Sequence, residues 1–114
     1  MPFINSKITV KLSEEQEKNV KNRLGQAIAL IPGKSESWLM LGFEDGYNIY
    51  FKGNKEEKAA FVDVSIYGSA SSTALNSLTV EICDIFKEEL GIPKDKVYVK
   101  YTETKNWGWN GGNF

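Results

Sequence analysis

Pro2 follows the initiator Met1 and opens a run, Phe3-Ile4-Asn5-Ser6-Lys7-Ile8-Thr9-Val10, that reads as a strand. Removal of Met1, a common fate before a small second residue, would leave a secondary amine on a rigid element. A free α-amine has an ordinary pKa of ~7.7–8.0. Burial in an apolar pocket and a neighbouring lysine both disfavour its charged form. Such an amine is neutral near neutral pH and can take a proton from carbon beside a carbonyl. With Met1 in place the Pro2 nitrogen is an amide and takes none. The plainer alternative is a proline that only begins an edge strand, where its missing N–H costs little.

The sequence holds no histidine and one cysteine, Cys83. Acid–base work therefore falls to carboxylates, lysines, tyrosines or a terminal amine. Ser-His-Asp and Cys-His arrangements and Cys/His metal sets are excluded, and no glycine loop of the phosphate-cradling type occurs. Neither a metal nor a cofactor is expected. Cys83, in an apolar stretch, reads as a small buried hydrophobe. Lys34 follows a helix end, where it either complements the helix dipole or faces a substrate carboxylate. Lys94 occupies the same place later in the chain. Tyr98 and Lys100 alternate along a strand and share a face. Tyr98 either donates to a carbonyl or packs, and Lys100 can bind an anion. Trp107, Trp109 and Phe114 cluster in the tail, to wall an aromatic pocket or to pack between subunits.

These residues need elements to place them. The 114 residues, 41% hydrophobic and 25% charged, are expected to make one domain, residues 1–114. Fourteen basic residues stand against fifteen acidic ones without a basic stripe, which argues against nucleic acid as a partner. No signal-peptide pattern and no apolar run of ~20 residues occurs, so membrane insertion is not expected and the starting location is the cytoplasm. The first strand is expected to end near Leu12. Ser13-Glu14-Glu15-Gln16 has the order of a capping box, and Val20, Leu24, Ala27, Ile28 and Ile31 follow at helical spacing until Pro32-Gly33. Trp38–Phe43 reads as a strand apolar on both faces. Asp45-Gly46 reads as a turn into a hairpin partner, Tyr47–Phe51, and Lys52–Lys58 as a solvated loop.

The second half repeats the plan. Ala60–Ile66 is a strand, and Ser71, Ser72 or Thr73 caps a helix carrying Leu75, Leu78, Ile82, Ile85 and Phe86. Gly91 and Pro93 end it, and Val97–Tyr101 is the last strand. Leu30-Ile31-Pro32-Gly33-Lys34 parallels Leu90-Gly91-Ile92-Pro93-Lys94. The fold class is α+β: a tandem β-α-β repeat, roughly residues 2–58 and 59–114, with two helices on one face of a four-stranded mixed sheet and right-handed crossovers. The other sheet face is expected to be apolar and to need a partner, which implies an oligomer.

Met1-Pro2 leading a strand, Gly33-Lys34, Ser65-Ile66, Val97-Tyr98-Val99 and the tail Asn106–Phe114 together resemble the macrophage migration inhibitory factor family within the tautomerase superfamily. The resemblance spans nearly the whole chain. It implies a homotrimer whose sheets surround a central channel, with active sites between subunits. It also implies Pro2 as base for keto–enol tautomerisation of aryl pyruvates such as phenylpyruvate, small aromatic 2-oxo acids. Lys34 would bind the carboxylate, the backbone at Ile66 would line the site, and Tyr98 would arrive from the adjacent subunit. Trp109 and Phe114 match tail aromatics near the pocket. The alternative role is a cytokine-like ligand of a receptor protein, secreted without a signal peptide. The chain also departs from the pattern. Lys100 stands where asparagine is usual and adds a cation for a second acidic group. Tyr67 replaces a glycine and is expected to narrow the pocket. Trp38 and Trp107 are bulkier than many counterparts. Lys58-Ala59-Ala60-Phe61 occupies the place of a Cys-x-x-Cys, so thiol redox activity is not expected.

Overall fold

Burial alternates along the first strand, β1 (Pro2–Ile8): Pro2, Ile4, Ser6 and Ile8 are buried, with the residues between them half-buried. A period of two sends alternate side chains to opposite faces, so one face of β1 meets the core. In this computed structural model, which describes residues 1–114, the strand stops at Ile8, short of Leu12. There the Thr9 hydroxyl accepts the Ala59 N–H at 2.9 Å, and the Leu12 N–H donates to Asp45 Oδ2 at 2.9 Å. These contacts turn the chain out of the sheet.

Helix α1 (Glu14–Ala27) begins with the expected capping box: Gln16 N–H donates to Ser13 Oγ and Ser13 N–H to Gln16 Oε1, both at 3.1 Å. Glu14, Glu15 and Glu17 suit the positive end of the helix dipole. Val20, Leu24 and Ala27 face inward, followed by Ile28 on a single 3-10 turn, Ile28–Leu30.

Two expectations fail in the next segment. Trp38 is not in a strand. It closes a 3-10 turn, Glu36–Trp38, and β2 (Met40–Glu44) starts after it. Nor does Asp45-Gly46 fold a hairpin onto β2. The Tyr47 N–H donates to Ile8 O at 2.9 Å, so the turn is tied to the end of β1. The chain then leaves the sheet and forms a separate ribbon, β3 (Tyr50–Phe51) with β4 (Asn54–Lys55).

β5 (Ala60–Tyr67) alternates as β1 does. Ser71 caps α2 (Ser72–Leu90), accepting from Ala74 N–H at 3.1 Å. Gly91 ends the helix in the left-handed region, φ +68°, its N–H bonded to Lys87 O and the Ile92 N–H to Phe86 O. β6 (Val97–Thr104) follows, then a tail ribbon, β7 (Gly108–Trp109) with β8 (Gly112–Asn113).

The sheet order is β2-β1-β5-β6, with β1 and β5 antiparallel and each outer pair parallel. Phe3 pairs with Met40; adding 60 to each number gives Asp63 and Lys100, which pair likewise. The tandem β-α-β repeat is thus a pseudo-two-fold in the sheet. Both helices cover one face, where Ile4, Leu24, Ile66, Leu78, Ile82 and Phe86 share one core. Losing the fully buried Phe86 ring would cost about 3–5 kcal/mol.

The uncovered face is not the apolar surface expected. Its centre is polar. Asn5 Nδ2 donates to Glu44 Oε2 at 2.9 Å, and Lys100 is paired with Asp63 at 3.1 Å. Aromatic and apolar side chains sit only toward the two ends, Phe3 beside Met40 and Phe61 beside Tyr98. The reason is the alternation itself: with every even-numbered β1 and β5 side chain in the core, the odd set is free to be polar. No helix is long and apolar enough to cross a membrane.

Candidate functional site

Antiparallel pairing brings the start of β1 to the end of β5: Pro2 lies beside Ile66 and Phe3 beside Ser65. Proline is tolerated there because it begins the strand. The Tyr67 N–H donates to the Met1 carbonyl at 3.1 Å, which holds the chain terminus to the sheet. A cleft of about 870 Å³ opens at this corner. Met1, Pro2 and Phe3 line it with the Ser37–Met40 segment, Ser65, Thr102, Thr104 and the Asn106–Trp109 segment. Trp38 and Trp109 meet edge-on in its wall, ring centroids 5.1 Å apart at 88°.

Gly33, at φ +83°, turns the chain after the first helical segment and aims Lys34 at this corner. Lys34 Nζ donates to the Tyr67 carbonyl at 2.8 Å. The terminal amine of Met1 is held below its ordinary pKa by burial, and further by the charge and hydrogen bonding of Lys34. Lys34 is therefore not a helix-dipole partner. Lys94, its repeat counterpart, instead bonds Asp84 at 2.7 Å.

The structure divides the eight residues expected at the site. Pro2, Trp107 and Trp109 line the cleft. Lys34 stands behind the terminal amine, and Ile66 offers backbone beside Pro2 while its side chain is fully buried. Phe114 is off the cleft wall, packed on Tyr67 with ring centroids 5.4 Å apart. Tyr67 does not narrow the cleft as expected, because its ring is turned to that contact. Tyr98 and Lys100 lie elsewhere. Tyr98 is beside Phe61 at the other end of the sheet, edge-on to Phe51 at 5.5 Å and 88°, and Lys100 pairs with Asp63. Tyr98 belongs to a second, smaller cleft of about 280 Å³ with Tyr50, Phe51, Phe61 and Lys96.

Sequence reasoning did not name Ser37, Met40, Ser65, Thr102, Thr104 or Asn106 as cleft residues. Ser65 and Thr102 are register partners across β5 and β6. The two-residue period that puts Tyr98 and Lys100 on one face also carries Thr102 and Thr104 onto it, a signal available beforehand. The chemistry such a corner can support is deprotonation of a carbon acid. An amine whose pKa is lowered in an apolar cleft can accept the proton when neutral, and a fixed cation beside it receives an anionic group.

The model of the macrophage migration inhibitory factor (MIF) family matches residues 1–114. A curated relative, macrophage migration inhibitory factor of Xenopus laevis, is 27% identical over 93 residues, 80% of each chain. The crystal structure of Leishmania major MIF2 superposes with a TM-score of 0.92 at 33% identity, covering 100% of this chain and 97% of that one. Macrophage migration inhibitory factor of Toxoplasma gondii shares the fold, with a TM-score of 0.90 at 21% identity over 98% of this chain and 99% of that one.

Proposed function

The chain belongs to the macrophage migration inhibitory factor family of the tautomerase superfamily, and from that premise we propose that it is a cofactor-free keto–enol tautomerase of aryl 2-oxo acids such as phenylpyruvate. Removal of Met1 makes Pro2 the terminal amine. Neutral Pro2 takes a proton from the carbon next to the ketone, and the C–H electrons move through the new C=C onto the carbonyl oxygen. The protonated amine then returns its proton to that oxygen. Lys34 holds the substrate carboxylate, and Trp107 and Trp109 flank the ring.

The observation that carries this reading is the cleft itself: Pro2 opens β1 at its rim among aromatic side chains, and the amine one residue ahead of it, that of Met1, has its pKa lowered by burial and by Lys34. Tyr98 and Lys100 complete the site from an adjacent copy in a homotrimer. Tyr98 is 58% exposed, and its aromatic corner lies at the opposite end of the sheet from the cleft, where a neighbour rather than its own chain can use it. Lys100, two residues along the same face, is paired with Asp63 and would have to leave that carboxylate to receive a second acidic group of the substrate. The test is Pro2→Gly assayed for enol–keto conversion of phenylpyruvate. Loss of ~10²-fold or more is expected, the range a placed base contributes; wild-type rates would reject Pro2 as the base.

A second reading is a cytokine-like ligand that engages a receptor without catalysis. That role needs no free amine: while Met1 stays attached, the Pro2 nitrogen is an amide and takes no proton. Intact mass of the natural protein separates the two. Retained Met1 supports binding, and its removal supports chemistry.

A further inference from the structure

We infer that Tyr67 is a positioning residue: through the ring of Phe114 it fixes the tail ribbon, and with it Trp107 and Trp109, against the cleft at Pro2. The inference rests on the catalytic reading above for its effect on substrate, while the clamp itself is observable without turnover. Tyr67 is the last residue of β5, and both of its backbone polar groups are occupied. The N–H donates to Met1 O at 3.1 Å, and the carbonyl accepts from Lys34 Nζ at 2.8 Å. The next residue is tied as well, Gly68 N–H to Thr104 O at 2.8 Å. With Met1 removed two of these ties remain, Lys34 on the Tyr67 carbonyl and Gly68 N–H on Thr104 O, and strand alternation sends the Tyr67 ring to the uncovered face, on the same side as Ser65.

There the ring meets Phe114, tilted at 56° with centroids 5.4 Å apart. The Phe114 N–H donates to Trp107 O at 3.1 Å, and Asn113 pairs with Gly108 and Gly112 with Trp109 in the ribbon. A two-stranded ribbon this short has little stability of its own. Two aromatic contacts hold it: Trp109 on Trp38 at one side and Phe114 on Tyr67 at the other. Tyr67 therefore acts on the cleft wall through Phe114 while standing outside the lining itself. The contact is made by the ring, so phenylalanine should replace tyrosine and alanine should not.

The experiment compares Tyr67→Ala, Tyr67→Phe, Phe114→Ala and the double variant Tyr67→Ala/Phe114→Ala, with Met1 removed and phenylpyruvate as probe. Each alanine variant is expected to raise KM about fivefold with kcat within about twofold, the scale of one aromatic contact. Tyr67→Phe keeps the parent KM, and the double variant is no worse than either single one, as for two halves of one contact. Amide exchange at Phe114 accelerates in Tyr67→Ala and not in Tyr67→Phe. Parent-like KM in Tyr67→Ala, or additive effects in the double variant, overturns the proposal and leaves Pro2-dependent turnover standing. A parent protein without Pro2-dependent turnover removes the catalytic reading, and with it any positioning of substrate. Unchanged Phe114 exchange in Tyr67→Ala overturns the clamp in either case.

Discussion

Trp38 and Tyr98 occupy equivalent places in the two repeats, and each meets a ring from a two-residue ribbon edge-on. Trp38 meets Trp109 at 5.1 Å and Tyr98 meets Phe51 at 5.5 Å, both at 88°. Beneath the rings the two corners diverge. Under the first lies the start of the chain, with Lys34 reaching across to the Tyr67 carbonyl and the terminal amine. Under the second, the counterpart of Pro2 is Val62, inside a strand with no free nitrogen, and the counterpart lysine, Lys94, is held by Asp84. A chain has one amino terminus, so a two-fold fold can carry a terminal-amine base at only one of its two corners. The first corner is free to be a site. The second, with Tyr98 exposed, is free to be a surface that meets a neighbour.

The sharpest way to break this contrast is to remove the two equivalent lysines separately. Lys34→Ala should lower kcat/KM for phenylpyruvate by roughly ten- to a hundredfold, the range for a hydrogen bond to a charged group. Lys94→Ala should leave it unchanged. Lys34 lowers the pKa of the Met1 amine at this corner, and the Pro2 amine exposed by removal of Met1 is expected to face the same cation, so in Lys34→Ala the neutral base should form only at higher pH and the acid limb of the pH–rate profile should move upward. Equal effects at both lysines would show that the corners do not differ as argued. A smaller effect tests the second corner. Pro2→Gly and Tyr98→Ala, each weak alone, should on mixing recover roughly a quarter of full activity, the random share when each site draws on two neighbours. No recovery would confine the site to a single chain.

The smallest expected effect concerns how each repeat holds its outer strand. Leu41 in β2 packs against the core, whereas its counterpart in β6, Tyr101, donates from its hydroxyl to Leu75 O at 3.0 Å and shares a hydrogen bond with Thr79. Tyr101→Phe should cost about 1 kcal/mol in denaturant unfolding. Burial raises the pKa of this phenol. Its contribution is therefore whole below the ordinary tyrosine value and is lost as pH climbs through the raised one. Stability curves of the parent and Tyr101→Phe should converge above that range; a constant gap would place the effect elsewhere.

The elements legible in sequence were those whose signals are local. The Ser13–Gln16 box and the left-handed Gly91 stop are settled within a few residues, and the cap of α2 was narrowed to Ser71, Ser72 or Thr73 before the structure chose Ser71; the period-two burial of β1 and β5 follows from their own side chains. The errors fell where a local signal was outbid by distant partners. Asp45-Gly46 looks like a hairpin turn, but Leu12 and Ile8 use its carboxylate and the next amide. Trp38-Leu39-Met40 looks like continuous strand, but Trp38 turns away to Trp109, 71 positions later. At the site, Pro2 was singled out from residue type and position, and the structure places it on the cleft. Lys34 remained ambiguous because a cation after a helix serves two purposes, and only the 2.8 Å bond to the Tyr67 carbonyl separates them.

Composition and order alone determined that any base here must be something other than histidine, that the chain repeats after sixty residues, and that two amphipathic helices must share one sheet. Those follow from covalent identity and from periods of 3.6 and 2, which need no long-range information. The tertiary structure decided which of two matching lysines approaches the terminal amine, which aromatic rings share a wall, and that the open sheet face is wet at its centre. Those depend on strand register and on contacts between residues far apart in the chain, and neither is encoded in any short stretch of it.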